Sequence, residues 1–128
     1  MDWRKFEKIA RNAIQKELGC NLSNEALDIT GKSKNFDLVN KEKGIVGDIK
    51  YYSMTKGGNM PSAKFSILNE YAWLMQRLEI STKQKWKKVF VIGPDVNMIQ
   101  KYIKTYENWL DDIEIYYCSV NGQINRMK

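Results

Sequence analysis

Phe36-Asp37-Leu38-Val39-Asn40-Lys41-Glu42-Lys43-Gly44-Ile45-Val46-Gly47-Asp48-Ile49-Lys50 is the stretch of this chain with the most to say. Two runs of apolar and branched residues flank Lys41-Glu42-Lys43-Gly44, which has the composition of a turn, so the stretch predicts an antiparallel strand pair. Pairing outward from the turn sets Asn40 against Ile45, Val39 against Val46, Leu38 against Gly47 and Asp37 against Asp48. Side chains alternate along a strand. Phe36, Leu38, Gly47 and Ile49 then share one side of the sheet, and Asp37, Val39, Val46, Asp48 and Lys50 share the other.

This register brings two carboxylates to directly opposite positions, with Cβ atoms about 4.5–5.5 Å apart. Like charges so placed repel, and a divalent cation between them turns the repulsion into a binding site. Lys50 stands on the same face, two residues and about 6.5–7 Å beyond Asp48. A lysine there orients or deprotonates an attacking water and stabilises charge developing on a phosphate.

On the N-terminal side, Trp3, Phe6, Ile9, Ala10, Ala13, Ile14 and Leu18 recur at helical spacing, and Gly19 is a natural stop, which predicts a helix over Trp3–Leu18. The polar stretch 21–34 holds a short strand near residues 26–30. On the C-terminal side the second strand of the pair runs over 45–52, and Gly57-Gly58-Asn59 marks a loop over 54–61. An amphipathic helix over 63–78 follows, carrying Phe65, Leu68, Tyr71, Ala72, Met75 and Leu78. Val89-Phe90-Val91-Ile92-Gly93 is a continuous apolar run of the kind found in buried parallel strands. A helix over 96–110, a strand over 113–120 and the hairpin signal Asn121-Gly122 before 123–127 complete the chain. An antiparallel opening followed by alternating helices and strands predicts one α/β domain over 1–128, with a mixed central sheet between helices.

Composition narrows the chemistry. At 128 residues and 43% hydrophobic, the chain suits a single core. It has no histidine, which excludes Cys₂His₂ zinc sites and Ser-His-Asp, Cys-His or HNH-type catalysis. Cys20 and Cys118 are too few for a disulfide framework and read as small buried hydrophobes. No run is long and apolar enough for a bilayer and the start lacks a signal-peptide stretch, so the expectation is a soluble, cytoplasmic protein. The formal charge of +6 suits a polyanion. Apart from Arg4, Arg11, Arg77 and Arg126 the positive charge is lysine, which suits phosphate contact more than base readout.

Phe36-Asp37-Leu38 followed by Gly47-Asp48-Ile49-Lys50 resembles the motif of PD-(D/E)xK, or restriction-endonuclease-like, nucleases, with Phe36 in place of the motif's proline. The resemblance covers most of the chain, because the family core is also helix, three-strand meander, helix and strand. It implies a metal-dependent nuclease, an endonuclease before an exonuclease, in which Asp37 and Asp48 ligate Mg²⁺ or Mn²⁺ and Lys50 assists the attacking water. The family often adds a glutamate from the first helix. Glu7 and Glu17 both fall within or beside the apolar stripe, about 15 Å apart along the helix, so only one can reach the metal. Glu7 is the one favoured, as both ligand and catalytic residue. DNA is the expected partner, and the small size suits a homodimer or a structure-specific enzyme similar to Holliday junction resolvases, or a small restriction endonuclease. The alternative is a non-catalytic nucleic-acid- or protein-binding module on the same fold.

Ser53, Thr55 and Lys56, beyond the second strand, and Lys64, at the start of the next helix, are the residues expected to contact nucleic acid. Lys83, Lys85, Lys87 and Lys88 surround Trp86 in a run expected to be a solvated loop. The pairs Tyr51-Tyr52 and Tyr116-Tyr117 are each expected to place one ring on either sheet face.

Overall fold

Helix α1 (Trp3–Leu18) starts where the Asp2 carboxylate accepts a hydrogen bond from the Lys5 N–H at 2.9 Å, and ends at Gly19, whose φ of 68° no β-branched residue adopts without strain. The structure, a computed structural model, describes residues 1–53 and 62–128. After α1 come β1 (Ser23–Ile29), β2 (Lys32–Asn40), β3 (Ile45–Tyr52), α2 (Ser62–Thr82), β4 (Lys87–Pro94), α3 (Val96–Tyr106), a 3₁₀ turn (Glu107–Trp109), β5 (Ile113–Cys118) and β6 (Ile124–Arg126). The result is a single α/β domain on a six-stranded mixed sheet, ordered β1-β2-β3-β4-β5-β6.

The first three strands form an antiparallel meander. Thr30 and Gly31, both at positive φ, make the turn between β1 and β2, the backbone that a two-residue hairpin demands. Crossover helices α2 and α3 then make β3, β4 and β5 mutually parallel, and β6 returns antiparallel. The continuous apolar run in β4 is explained by its position, since both of its faces are covered. Phe90 and Ile92 pack with α2 and α3, whereas Val89 and Val91 pack with Phe6, Ala10 and Ile14 of α1. Tyr51 and Tyr116 point to the α1 side and Tyr52 and Tyr117 to the other, as alternation requires.

Several boundaries differ from the sequence expectation. The strand near 26–30 begins three residues earlier, at Ser23, because its N-terminal half pairs with β2 rather than being apolar itself. The helix expected over 96–110 ends at Tyr106, and the 3₁₀ turn then carries Leu110 into the core. Lys87 and Lys88 belong to β4, not to a solvated loop. Lys88 is buried against Glu79, with Nζ to Oε1 at 2.6 Å, and Trp86 is buried as well. The loop expected over 54–61, with Thr55 and Lys56, lies outside the described residues. Among the described residues no helix is long and apolar enough to cross a membrane.

Candidate active site

The pairing of β2 with β3 matches the expected register at Asn40–Ile45, Val39–Val46 and Leu38–Gly47. It then departs from it. Asp37 and Asp48 do not continue the backbone ladder. Instead the Asp37 N–H donates to Asp48 Oδ1 at 3.2 Å, and the Ile49 N–H donates to Asp37 Oδ2 at 3.0 Å. The two strands are thus joined at this point through side-chain carboxylates and not through backbone carbonyls.

The cause is a β-bulge. On β1, Ser23 and Glu25 are two residues apart, yet their partners Val39 and Phe36 are three apart on β2. Asp37 and Leu38 together oppose Asn24, the two-against-one arrangement that bends a strand and re-aims a side chain. Alternation therefore fails at this point. Phe36 packs with Val39 and Val46 on the α2 side, not with Leu38 and Ile49 on the α1 side as its spacing implied. Asn24 completes the bulge by donating from Nδ2 to Asp37 Oδ1 at 3.2 Å.

Asp48 lies on β3 with only 2% of its surface exposed, and Lys50 Nζ stands 2.7 Å from its Oδ2. Among the described residues that ammonium is the one partner of this buried oxygen, an ion pair without well-aligned hydrogen-bond angles. Burial, then the side-chain hydrogen bond that a protonated Asp48 makes to the Asp37 carboxylate and the negative charge of that carboxylate, push the Asp48 carboxyl up to about 8, and Lys50 offsets them only in part. Burial works against the charge on Lys50, but the carboxylates of Asp48 and Asp37 outweigh it and hold the ammonium above its ordinary range. The same ammonium lies 4.8 Å from the ring centroid of Tyr71 on α2. Burial and the negative charge of Asp48 raise the Tyr71 phenol in turn.

The structure brings Asp37, Asp48 and Lys50 together. It does not bring Glu7 to them. Glu7 Oε1 is held by Arg11 Nη2 at 3.2 Å, and the same nitrogen donates to the backbone carbonyl of Asp37 at 3.0 Å. Glu7 thus reaches the site only through Arg11, and Glu17 is exposed further along the helix. Among the described residues no group of three acidic, histidine or cysteine side chains is gathered to hold a metal. Two carboxylates are nevertheless a fitting set for Mg²⁺ or Mn²⁺, hard cations that often take one or two carboxylates and complete their shell with water and substrate phosphate. The buried Asp48 oxygen, whose ion pair with Lys50 lacks well-aligned hydrogen-bond angles, is the atom such an ion would satisfy.

Of the residues expected at the nucleic acid, Ser53 is exposed directly after β3. Lys64 folds its Nζ 5.3 Å from the centroid of the Tyr52 ring, whose hydroxyl donates to the Lys64 carbonyl at 2.8 Å. Sequence reasoning missed Asn24, Arg11 and Tyr71. Only Arg11 left a signal, its spacing of four residues from Glu7 on the same helix. No family model, no curated protein and no solved structure matches the chain.

Proposed function

We propose that this chain is a metal-dependent nuclease that hydrolyses DNA phosphodiester bonds, with endonuclease action favoured, through Asp37, Asp48 and Lys50. The observation that carries the reading is the exchange at the bulge. Two carboxylates replace a backbone pairing step and face one another beside the Lys50 ammonium, an arrangement poor for a metal-free sheet and suited to a divalent cation. When bound there, such an ion supplies Lewis-acid stabilisation of charge on a phosphate oxygen.

The chain's own residues do the rest. Asp37 and Asp48 are fixed by backbone N–H groups of their partner strands, so little reorganisation is needed to present their open lone pairs. Lys50 is charged at neutral pH and points its ammonium to the same spot. There it offsets the negative charge that grows on the phosphate as a bond from water oxygen to phosphorus forms, the water's proton passing to solvent, and the bond to the sugar oxygen breaks, that oxygen taking a proton from solvent. Arg11 is a positioning residue, since it grips the Asp37 carbonyl from α1.

The test is incubation of the protein with supercoiled, linear and branched DNA in Mg²⁺, in Mn²⁺ and in EDTA. Cleavage is expected only with metal, and Asp37→Ala, Asp48→Ala and Lys50→Ala are each expected to abolish it. Cleavage in EDTA, or full activity of the Lys50 variant, contradicts this mechanism. DNA binding without cleavage under every condition selects the non-catalytic module instead.

A further inference from the structure

We propose that the groove between the start of β2 and the outer face of α2 binds an unpaired polynucleotide strand, with a base stacked on Trp73 and phosphates at Lys32, Lys34 and Arg77. The groove has a volume of about 340 Å³ and is walled by these four residues together with Glu70 and Leu74. Trp73 is 58% exposed, although an indole is among the side chains with most to gain from burial. The Arg77 guanidinium lies over one face of the ring, 5.9 Å from its centroid, and so brings a cation to the indole. Lys32 and Lys34 are alternate residues of β2 and so share one side of that strand. Among the described residues neither forms an ion pair.

Three cations against the single carboxylate of Glu70, arranged around an open indole, match a ligand that carries both phosphates and π faces. Lysine contacts phosphate as a point charge, and an aromatic ring stacks on any base. A duplex keeps its base faces stacked on one another, so the indole selects an unpaired strand. A second copy of this chain is the poorer occupant, because it brings a surplus charge of +6 to a patch that is already cationic.

Lys34 stands three residues before Asp37 on the same strand, roughly 10 Å away. The placement of the unpaired strand beside a cutting site rests on the nuclease reading, but binding in the groove does not.

The experiment measures fluorescence anisotropy of labelled mixed-sequence oligonucleotides of about 16 nucleotides, as single-stranded DNA, single-stranded RNA and duplex DNA, against the full chain in EDTA. Trp73→Ala is expected to weaken binding of an unpaired strand about 5- to 100-fold and leave duplex affinity where it was. Trp73→Phe should recover most of the loss. Lys32→Ala with Lys34→Ala should lower the salt slope of single-strand binding by about 1.4, the share of two phosphates. Melting curves confirm that each variant is folded. Unchanged single-strand affinity in Trp73→Ala, an equal loss on single strand and duplex, or a wild type that binds neither single strand overturns the proposal. So does a concentration-dependent dimer that Trp73→Ala abolishes while oligonucleotide binding persists. If the expected losses appear but the wild type never cleaves in Mg²⁺ or Mn²⁺, the nuclease reading fails and the groove stands. If the wild type cleaves and Trp73→Ala binds as before, the groove fails alone.

Discussion

Asp48 holds a carboxyl group where a carboxylate is disfavoured, and this has a measurable sign. Its ordinary value is 3.8 and its value in the fold is about 8. Below the first value both folded and unfolded chains are protonated and nothing is lost. Between the two, the native protein keeps a proton that the unfolded chain has released, so stability falls as pH rises, by at most about 1.4 kcal/mol per unit. Above about 8 the loss is complete. Asp48→Asn removes this dependence at nearly constant shape. In EDTA the variant should therefore melt close to the wild type at pH 4 and several degrees above it at pH 8. Mg²⁺ or Mn²⁺ should raise the melting temperature of the wild type by mass action and that of the variant hardly at all. Equal metal-induced shifts would mean that Asp48 is no ligand. Asp48 and Lys50 are legible from alternation along β3, and the turn position puts Asp37 near Asp48, but the contact between the two acids is made through the bulge and not through the regular ladder that the sequence implies. Arg11 at Asp37 is not legible, because it bonds a backbone carbonyl, which has no identity in a sequence. In sequence Tyr71 is one more apolar residue of a helix stripe, and it is also that in the fold, packing edge-on against Phe36.

At the scale of elements, α1 and β3 have the bounds that periodicity predicted, and Asn121-Gly122 does fall in a hairpin, with Gly122 at φ 83°, but β5 ends at Cys118 and not at residue 120, so the connection to β6 is longer than two residues. Each of these is specified within its own segment. The bulge in β2 is not, because it depends on which residue of β1 comes to lie opposite Asp37, a fact settled only when Asn24 pairs across the sheet. Gly47 offers a test of how tightly the neighbouring strands hold the site. A Cβ there would run into the backbone carbonyl of Val89, so β3 and β4 approach each other through the missing side chain. Gly31, by contrast, needs glycine for its φ of 84° and has open space around it. Gly31→Ala should cost about 1–2 kcal/mol, the strain of a left-handed turn. Gly47→Ala should cost more, roughly 1–3 kcal/mol from overpacking with further loss if the strands part. Chemical denaturation gives both values. The stabilisation by Mg²⁺ should survive in Gly31→Ala and shrink in Gly47→Ala, since only the latter displaces the strand that carries Asp48. If Gly31→Ala proves the more damaging, the two strands have more room than this packing allows.

Across the whole molecule, α2 and the turn before β5 are tied to β4 by one buried charge, in a run that the sequence alone presents as a solvated loop. Lys88 is 1% exposed on β4, and its ammonium meets Glu79 of α2 at 2.6 Å and Asp112, just before β5, at 3.7 Å. Glu79 has a second duty, accepting the Trp86 N–H at 2.9 Å. The run Lys85-Trp86-Lys87-Lys88 hid this because a lysine that alternation turns inward looks, in sequence, like one that it turns outward. Only the presence of acids on two other elements distinguishes them. The two partners are not equally dispensable. Removing Lys88 leaves Glu79, whose side chain is 21% exposed, able to turn toward water and keep the Trp86 bond. Removing Glu79 strands an ammonium in the core with one more distant carboxylate, and frees the Trp86 N–H as well. Breaking a buried pair costs about 3–5 kcal/mol when the survivor stays uncompensated, whereas an apolar replacement of similar volume is often close to neutral. Glu79→Ala should therefore lower stability by about that amount, and Lys88→Met by much less. Urea denaturation of both single variants and of the double variant decides it. The double variant should recover part of the Glu79→Ala loss, since it no longer buries an unpaired charge. If Lys88→Met is instead the worse of the two, the ion pair is a net source of stability, and the unpaired ammonium is not what makes the fold depend on Glu79.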